Sequence, residues 1–141
     1  LQEMFQVNYF SQVYLTQIIS RKMAKNKTGN IIFISSTSGT NGDYGRFAYS
    51  GSKAAILSLV KTLSKELSSY NIRVNAISPG LTETDLMLSN TKECIIKSEI
   101  EKISLKRIAA TSEIANVVLF LASERSSYVN GQNIVVDGGT Q

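Results

Sequence analysis

Apolar residues recur at spacings of three and four through the first 26 positions. Met4, Val7, Phe10, Val13, Tyr14, Ile18 and Met23, with Gln17 among them, predict an amphipathic helix. The pattern stops at Lys25-Asn26-Lys27-Thr28-Gly29, where lysines fill the last turn and a glycine is expected to end the helix. Asn30-Ile31-Ile32-Phe33-Ile34-Ser35 follows as a continuous apolar run, typical of a parallel strand covered on both faces. A Ser/Thr/Gly loop from Ser36 to Arg46 leads to a second helix over residues 47–69, with Ile56, Leu59, Val60, Leu63 and Leu67 toward the core. Ile72 to Ile77 reads as a strand closed by Ser78-Pro79-Gly80. Residues 82–107 are polar and weakly patterned. Thr111 or Ser112 is the expected N-cap of a helix over Glu113–Ala122, and Gly131 to Gly139 holds a last strand with its terminal turn. Strands alternating with helices define an α/β chain with a parallel sheet, with no internal repeat and no low-complexity tract.

Three strands make a thin parallel sheet, and the edge at Ile31–Ile34 is expected to be bare, apolar and uncharged. The chain therefore reads as the back half of a larger α/β domain. Its 141 residues fit at most one domain, and its 43% apolar fraction is that of a globular protein. The net charge of +4 is spread out, with Lys22, Lys25 and Lys27 as a solvated helix end, so nucleic-acid binding is not expected. Cys94 is the single cysteine, which leaves no disulfide framework or metal spacing and suits a reducing, cytoplasmic compartment. Histidine is absent, which removes Ser-His-Asp hydrolysis, Cys-His nucleophiles and most zinc sites. No apolar run approaches the ~18 residues of a membrane span, and no signal peptide opens the chain.

The chemistry concentrates at Tyr49 and Lys53, four residues apart and so on one helical face. A cation about 4 Å from a phenol, at an effective dielectric of ~20, favours the phenolate by roughly 4 kcal/mol. Such a phenol can trade protons near neutral pH. A tyrosine and a lysine so spaced are also an ordinary surface pair, and these two residues alone do not separate the readings.

Further residues extend the pattern. Ser35-Ser36-x-x-Gly39, Tyr49-x-x-x-Lys53, Arg73-Val74-Asn75-Ala76-Ile77-Ser78-Pro79-Gly80 and Asn130-Gly131-Gln132-Asn133-Ile134-Val135-Val136-Asp137-Gly138-Gly139 occur in order. Together they closely resemble the short-chain dehydrogenase/reductase family over essentially the whole chain, and within it the beta-ketoacyl-acyl-carrier-protein reductases. The resemblance implies the C-terminal half of a Rossmann-type, doubly wound parallel sheet. It implies hydride transfer between an NAD or NADP nicotinamide and a carbonyl or alcohol carbon. The implied catalytic set is Asn8, Ser36, Tyr49 and Lys53. Tyr49 exchanges the proton, Ser36 holds the substrate oxygen, Lys53 supports the phenolate and bonds the nicotinamide ribose, and Asn8 holds a relay water. Pro79 and Gly80 would lie against the nicotinamide, with Thr82 at its carboxamide and Thr84 nearby.

Each position has a plainer reading. Ser36 or Ser35 can cap a turn, Asn8 can be a buried amide bonded to backbone, Pro79 can merely end a strand, and Cys94 is expected to be a lid residue without chemistry. The family's glycine-rich phosphate loop, Thr-Gly-x-x-x-Gly-x-Gly, does not occur in these residues. Gly39, Gly42 and Gly45 lie elsewhere and do not replace it. The choice of NAD or NADP is expected to reside in that other half. By the same resemblance, residues 1–26 and 47–69 form a dimer face, Val129–Gly139 a second one, and the assembly is a homotetramer or homodimer. Residues 82–107 are the expected substrate lid, acting on a small carbonyl or alcohol, an acyl thioester among them. Two rivals stand beside this: a non-catalytic remnant or assembly fragment, and a sugar-nucleotide epimerase or dehydratase, against which the short tail after Pro79-Gly80 and the Val-Val-Asp-Gly-Gly ending argue.

Overall fold

A computed structural model describes residues 1–140, the side chain of Leu86 excepted. Three strands, β1 (Gly29–Ile34), β2 (Ile72–Pro79) and β3 (Asn133–Val136), form a parallel sheet in the order β1-β2-β3. Ile31 stands opposite Val74 and Phe33 opposite Ala76, while Ala76 to Pro79 pair with Asn133 to Val136. Central β2 is buried almost throughout, as a strand covered on both faces must be.

The amino-terminal helical stretch is built from α1 (Gln2–Phe5), a π-helical turn (Gln6–Phe10) and α2 (Ser11–Asn26). α4 (Phe47–Glu66) is preceded by the short α3 (Ser38–Asn41), and α5 (Asp85–Asn90), α6 (Glu93–Lys102) and α7 (Thr111–Ala122) follow β2. One face of the sheet packs Ile31, Phe33, Ile72, Val74 and Ala76 against Ile56 and Val60 of α4, with Tyr9, Met23 and Ala24 from the first helical stretch. Arg73 points to the other face, where its guanidinium donates to the carbonyls of Leu121 and Ser123 at the end of α7. The fold is therefore two helical layers around one sheet.

Several details depart from the sequence pattern. The predicted positions Val7, Phe10, Tyr14 and Ile18 are exposed, while Met23 packs on the core as expected, joined by Tyr9 and Ala24. Lys27, not Gly29, ends α2: it takes the left-handed conformation at φ 53°, while the Lys27 and Thr28 N–H groups close on Ala24 and Met23. Gly29 opens β1 because Met23 lies over it; a Cβ there would fall 2.6 Å from the Met23 Sδ. α4 stops at Glu66, and a 3₁₀ turn over Ser68–Tyr70 finishes the segment expected to be helical to 69.

Neither Thr111 nor Ser112 caps α7. The cap is Ala110, whose N–H donates to the Glu113 carboxylate at 2.8 Å, and Arg107 grips the same carboxylate through both guanidinium nitrogens. The Arg107 hydrogen bonds, with the Ala110 N–H behind them, hold the Glu113 carboxyl down at about 2. A depressed carboxyl supports the fold above its unfolded value near ~4.3 and loses that support as pH falls toward 2. Glu113→Gln is thus expected to be less stable than the parent at neutral pH, with the difference closing between about pH 4 and 2 in urea titrations. No helix among the described residues is long and apolar enough to cross a membrane.

Candidate active site

The carboxyl ends of β1 and β2 stop together, and the loop after β1 is pinned at two points. Ser35 donates its N–H to the Ile77 carbonyl and its hydroxyl to the Lys53 carbonyl at 2.8 Å. Thr37 donates its N–H to the Pro79 carbonyl at 3.1 Å. Ser36 sits between these anchors, half-buried, so its backbone is fixed from both sides. Its Oγ accepts from the Ser38 N–H and donates to the Ser38 Oγ, each at 3.2 Å, and Ser38 in turn donates to Asp43. The plain reading of Ser36 as a turn residue is thus partly realised, and Ser35 is the structural member of the pair.

Gly39 explains the third position of that motif. A Cβ on it would fall 2.7 Å from the Lys53 carbonyl carbon and 2.9 Å from the Ala54 nitrogen, so α3 rests directly on the backbone of α4. Gly39→Ala must push α4 away at Lys53. We expect it to lower turnover at least tenfold and to reduce stability, read from steady-state kinetics and denaturation of the full-length protein.

Tyr49 and Lys53 lie one turn apart on α4, as their spacing requires. The Lys53 ammonium does not meet the phenol head-on. It donates to the Ile34 carbonyl at 3.0 Å, the last carbonyl of β1, and stands 5.8 Å from the Tyr49 ring centroid. The Arg46 guanidinium lies 5.6 Å from the same centroid. Burial pushes the Lys53 amine below the usual lysine range, because the ammonium loses water without gaining a carboxylate. No described residue hydrogen-bonds the Tyr49 hydroxyl. Tyr49 lines a cavity of about 270 Å³ together with Met4, Arg46 and Phe47.

Asn8 occupies the middle of the π turn, a bulge of the kind found at functional positions. Its amide nitrogen donates to the Ser52 Oγ at 3.1 Å and to the Met4 Sδ at 3.0 Å. Ser52 is fully buried and donates its own hydroxyl to the Tyr49 carbonyl at 2.8 Å. Asn8 is therefore tied to the turn that carries Tyr49 and Lys53 through Ser52, which sequence reasoning passed over. The available signal was a serine three residues beyond Tyr49 on a helix whose core-facing neighbours are apolar.

Pro79 and Gly80 end β2, and Gly80 donates to the Val136 carbonyl. A Cβ on Gly80 would lie 2.8 Å from the Asp137 Cβ, so only glycine lets β2 and the chain after β3 run so close. Thr82 donates to the Gly80 carbonyl at 3.1 Å and bridges to Ala109, which ties the two feet of the 82–107 segment together. Thr84 accepts from the Met87 N–H as the N-cap of α5. That segment is helical through α5 and α6, and Cys94 is exposed on the latter.

A nicotinamide riboside fits this edge in part. Lys53 is bound by one carbonyl among the described residues, which leaves ammonium hydrogens for hydroxyl groups, and strand carboxyl ends are where dinucleotides bind in open α/β sheets. No glycine-rich loop for the diphosphate lies in the chain.

An open parallel sheet with flanking helices, and a tyrosine and a lysine one helical turn apart at its carboxyl edge, is half of a Rossmann-type α/β fold. Residues 1–141 match the family described as Enoyl-(Acyl carrier protein) reductase. The chain is 42% identical over 138 residues to the 3-oxoacyl-[acyl-carrier-protein] reductase FabG of Aquifex aeolicus (strain VF5), covering 98% of this chain and 55% of that protein. It is 42% identical over 125 residues to an acetoacetyl-CoA reductase of Acinetobacter sp. (strain RA3849), covering 89% and 50%. A solved 7 alpha-hydroxysteroid dehydrogenase complexed with NADH and 7-oxo glycochenodeoxycholic acid superposes with a TM-score of 0.93 at 35% identity, over 96% of this chain and 53% of that one. The chain belongs to the short-chain dehydrogenase/reductase family. It spans about half the length of the curated relatives it matches.

Proposed function

We propose that the full-length protein is an NAD(P)-dependent oxidoreductase that reduces a 3-oxoacyl thioester to the 3-hydroxy form. The observation that carries this is the Lys53 ammonium, held at the sheet's carboxyl edge by the Ile34 carbonyl one turn from a tyrosine hydroxyl that no described residue engages. The names of the relatives support the substrate class, since acyl-carrier-protein and coenzyme A thioesters appear among them.

A bound nicotinamide would supply the hydride. Tyr49 gives its hydroxyl proton to the oxygen that gains charge, and the nearby ammonium offsets the charge left on the phenolate. Ser36 donates to the same substrate oxygen, for which its hydroxyl turns from Ser38. Lys53 spends its remaining hydrogens on ribose hydroxyls, and Asn8 supports a water that returns a proton from solvent. Pro79, Gly80, Thr82 and Thr84 bound the nicotinamide side, with Thr84 donating its hydroxyl hydrogen while its oxygen caps α5. The cofactor is NADH or NADPH, the choice resting with residues of the other half of the fold. The exposed stripe Val7, Phe10, Tyr14 and Ile18 supports burial against a second copy in a homodimer or homotetramer. We place the enzyme in the cytoplasm, with no nucleic acid or membrane among its partners and no metal in its site.

The test is oxidation of NADH and NADPH by the full-length protein with 3-oxoacyl thioesters and with simple ketones. Thioester-dependent oxidation supports the reading; none with any carbonyl removes it. The 141 residues taken by themselves carry no diphosphate cradle, so fluorescence titration of that polypeptide with NADPH is expected to show no binding.

A further inference from the structure

The segment between β2 and α7 is fastened at both ends and open between them. At its near foot the Glu83 N–H donates to the Ala109 carbonyl at 2.8 Å, and the Ala109 N–H donates to the Leu81 carbonyl at 3.0 Å. At its far foot Ser104 gives the Gly139 carbonyl both its N–H at 3.2 Å and its hydroxyl at 2.6 Å. The Leu105 N–H donates to the Gly138 carbonyl at 3.1 Å. Gly138 admits no side chain there, since a Cβ would fall 2.8 Å from the Ile103 Cγ2. Ile103 is buried, but no described side chain from residue 84 to 102 is. In this chain α6 is thus placed by its feet rather than by a buried face. Its ion pairs Glu93–Lys97 and Glu99–Lys102 stay within the helix.

Lys106 joins the two feet. Its N–H donates to the Ile103 carbonyl at 3.0 Å, closing a turn, and its backbone is left-handed at φ 54°. After that turn the chain runs back to where Ala109 meets Leu81 and Glu83. Glycine would adopt the left-handed conformation without steric cost, and most other residues do not. A lysine supplies what glycine lacks. Its ammonium donates to the Glu101 carbonyl at 2.5 Å and stands 3.6 Å from the Glu101 carboxylate. Glu101 lies in the last turn of α6, where carbonyls lack helical partners and the helix dipole favours a cation.

We propose that Lys106 is a positioning residue that latches the end of α6 to the fixed feet, and so gives the lid a single seat over the acyl chain of the substrate. This rests on the reading of residues 82–107 as the lid of a thioester reductase, and adds the residue that sets where the lid sits. Lys106 touches no reacting atom. It acts through the last turn of α6, which explains why a residue with a side chain keeps a backbone conformation that glycine would take more easily.

In the full-length enzyme, Lys106→Gly is expected to raise KM for a 3-oxoacyl thioester about three- to tenfold, because the seated lid becomes a smaller fraction of the population. Turnover at saturating thioester and cofactor affinity should stay within about twofold of the parent. The unfolding midpoint of Lys106→Gly should match or exceed the parent's, since glycine takes the left-handed turn freely. Lys106→Met keeps the strained turn and loses the ammonium, so it should raise KM equally while unfolding at or below the parent midpoint. Lys106→Arg, which keeps a cation, should retain the parent KM. Hydrogen exchange reads the latch without turnover: the α6 amides should exchange faster in the glycine and methionine variants, while those of Glu83 and Ala109 stay as in the parent. Parent KM and parent exchange in Lys106→Gly overturn the inference. A KM that follows the unfolding midpoint across the two variants also overturns it, leaving the lysine a residue of the fold alone. A parent enzyme that reduces no thioester overturns instead the reading of the overall reaction, and the exchange rates still decide the latch.

Discussion

Tyr49→Phe is expected to lower kcat by 10²–10⁴-fold in the full-length enzyme, the range for losing a positioned acid, or about 3–5 kcal/mol of transition-state stabilisation. The substitution removes one oxygen and no packing. The ring is half-buried at the start of α4, and no described residue hydrogen-bonds its hydroxyl, so the fold loses no bond with it. Lys53 keeps its hold on the Ile34 carbonyl, which does not involve the phenol. Cofactor affinity and unfolding midpoint should therefore stay near those of the parent while turnover collapses. Steady-state kinetics beside a fluorescence titration separate the two. Turnover within threefold of the parent would take Tyr49 out of the proton transfer and leave the pair with Lys53 as a structural neighbour.

Ile56→Ala should cost about 2–5 kcal/mol of stability, the range for truncating a fully buried aliphatic side chain. Ile56 has no exposed surface and lies three residues beyond Lys53, beside Val60 on the helical face that packs against the cluster of Phe33 and Val74. The cavity opens under the turn that carries the ammonium. Activity should therefore fall more steeply with temperature than in the parent, because α4 is both the core's main lever and the bearer of the chemistry. Urea denaturation of the full-length protein measures the loss. A change under about 1 kcal/mol would mean that α4 is seated by other contacts.

The strands were legible from short apolar stretches, continuous in β1 and broken by Arg73 and Asn75 in β2, and the first helical stretch and α4 from a repeat of three and four. Tyr49 and Lys53 were legible for the same reason, since spacing alone puts them on one face. Periodicity could not show the π turn at Asn8: one extra residue in a turn shifts the face that follows it. That offset accompanies the outward-facing Val7, Phe10, Tyr14 and Ile18, while Tyr9 and Met23 reach the core. Nor could the cap of α7 be read from hydroxyl residues, because Glu113 supplies the acceptor from three positions inside the helix. The segment 82–107 hid two helices because their apolar residues are bunched at 86–88 and 94–96 rather than spread at spacings of three and four. The partner of Lys53 was out of reach of any motif, because a main-chain carbonyl has no letter in the sequence.

That last contact sets a limit on what mutation can do here. The oxygen that steadies Lys53 belongs to the peptide unit between residues 34 and 35, so exchanging the isoleucine for another amino acid leaves the attachment point where it was. Redesigning β1 for solubility or a new lining can proceed without dislodging the amine, provided the strand keeps its pairing with β2. Only a change that bends the backbone itself reaches that anchor.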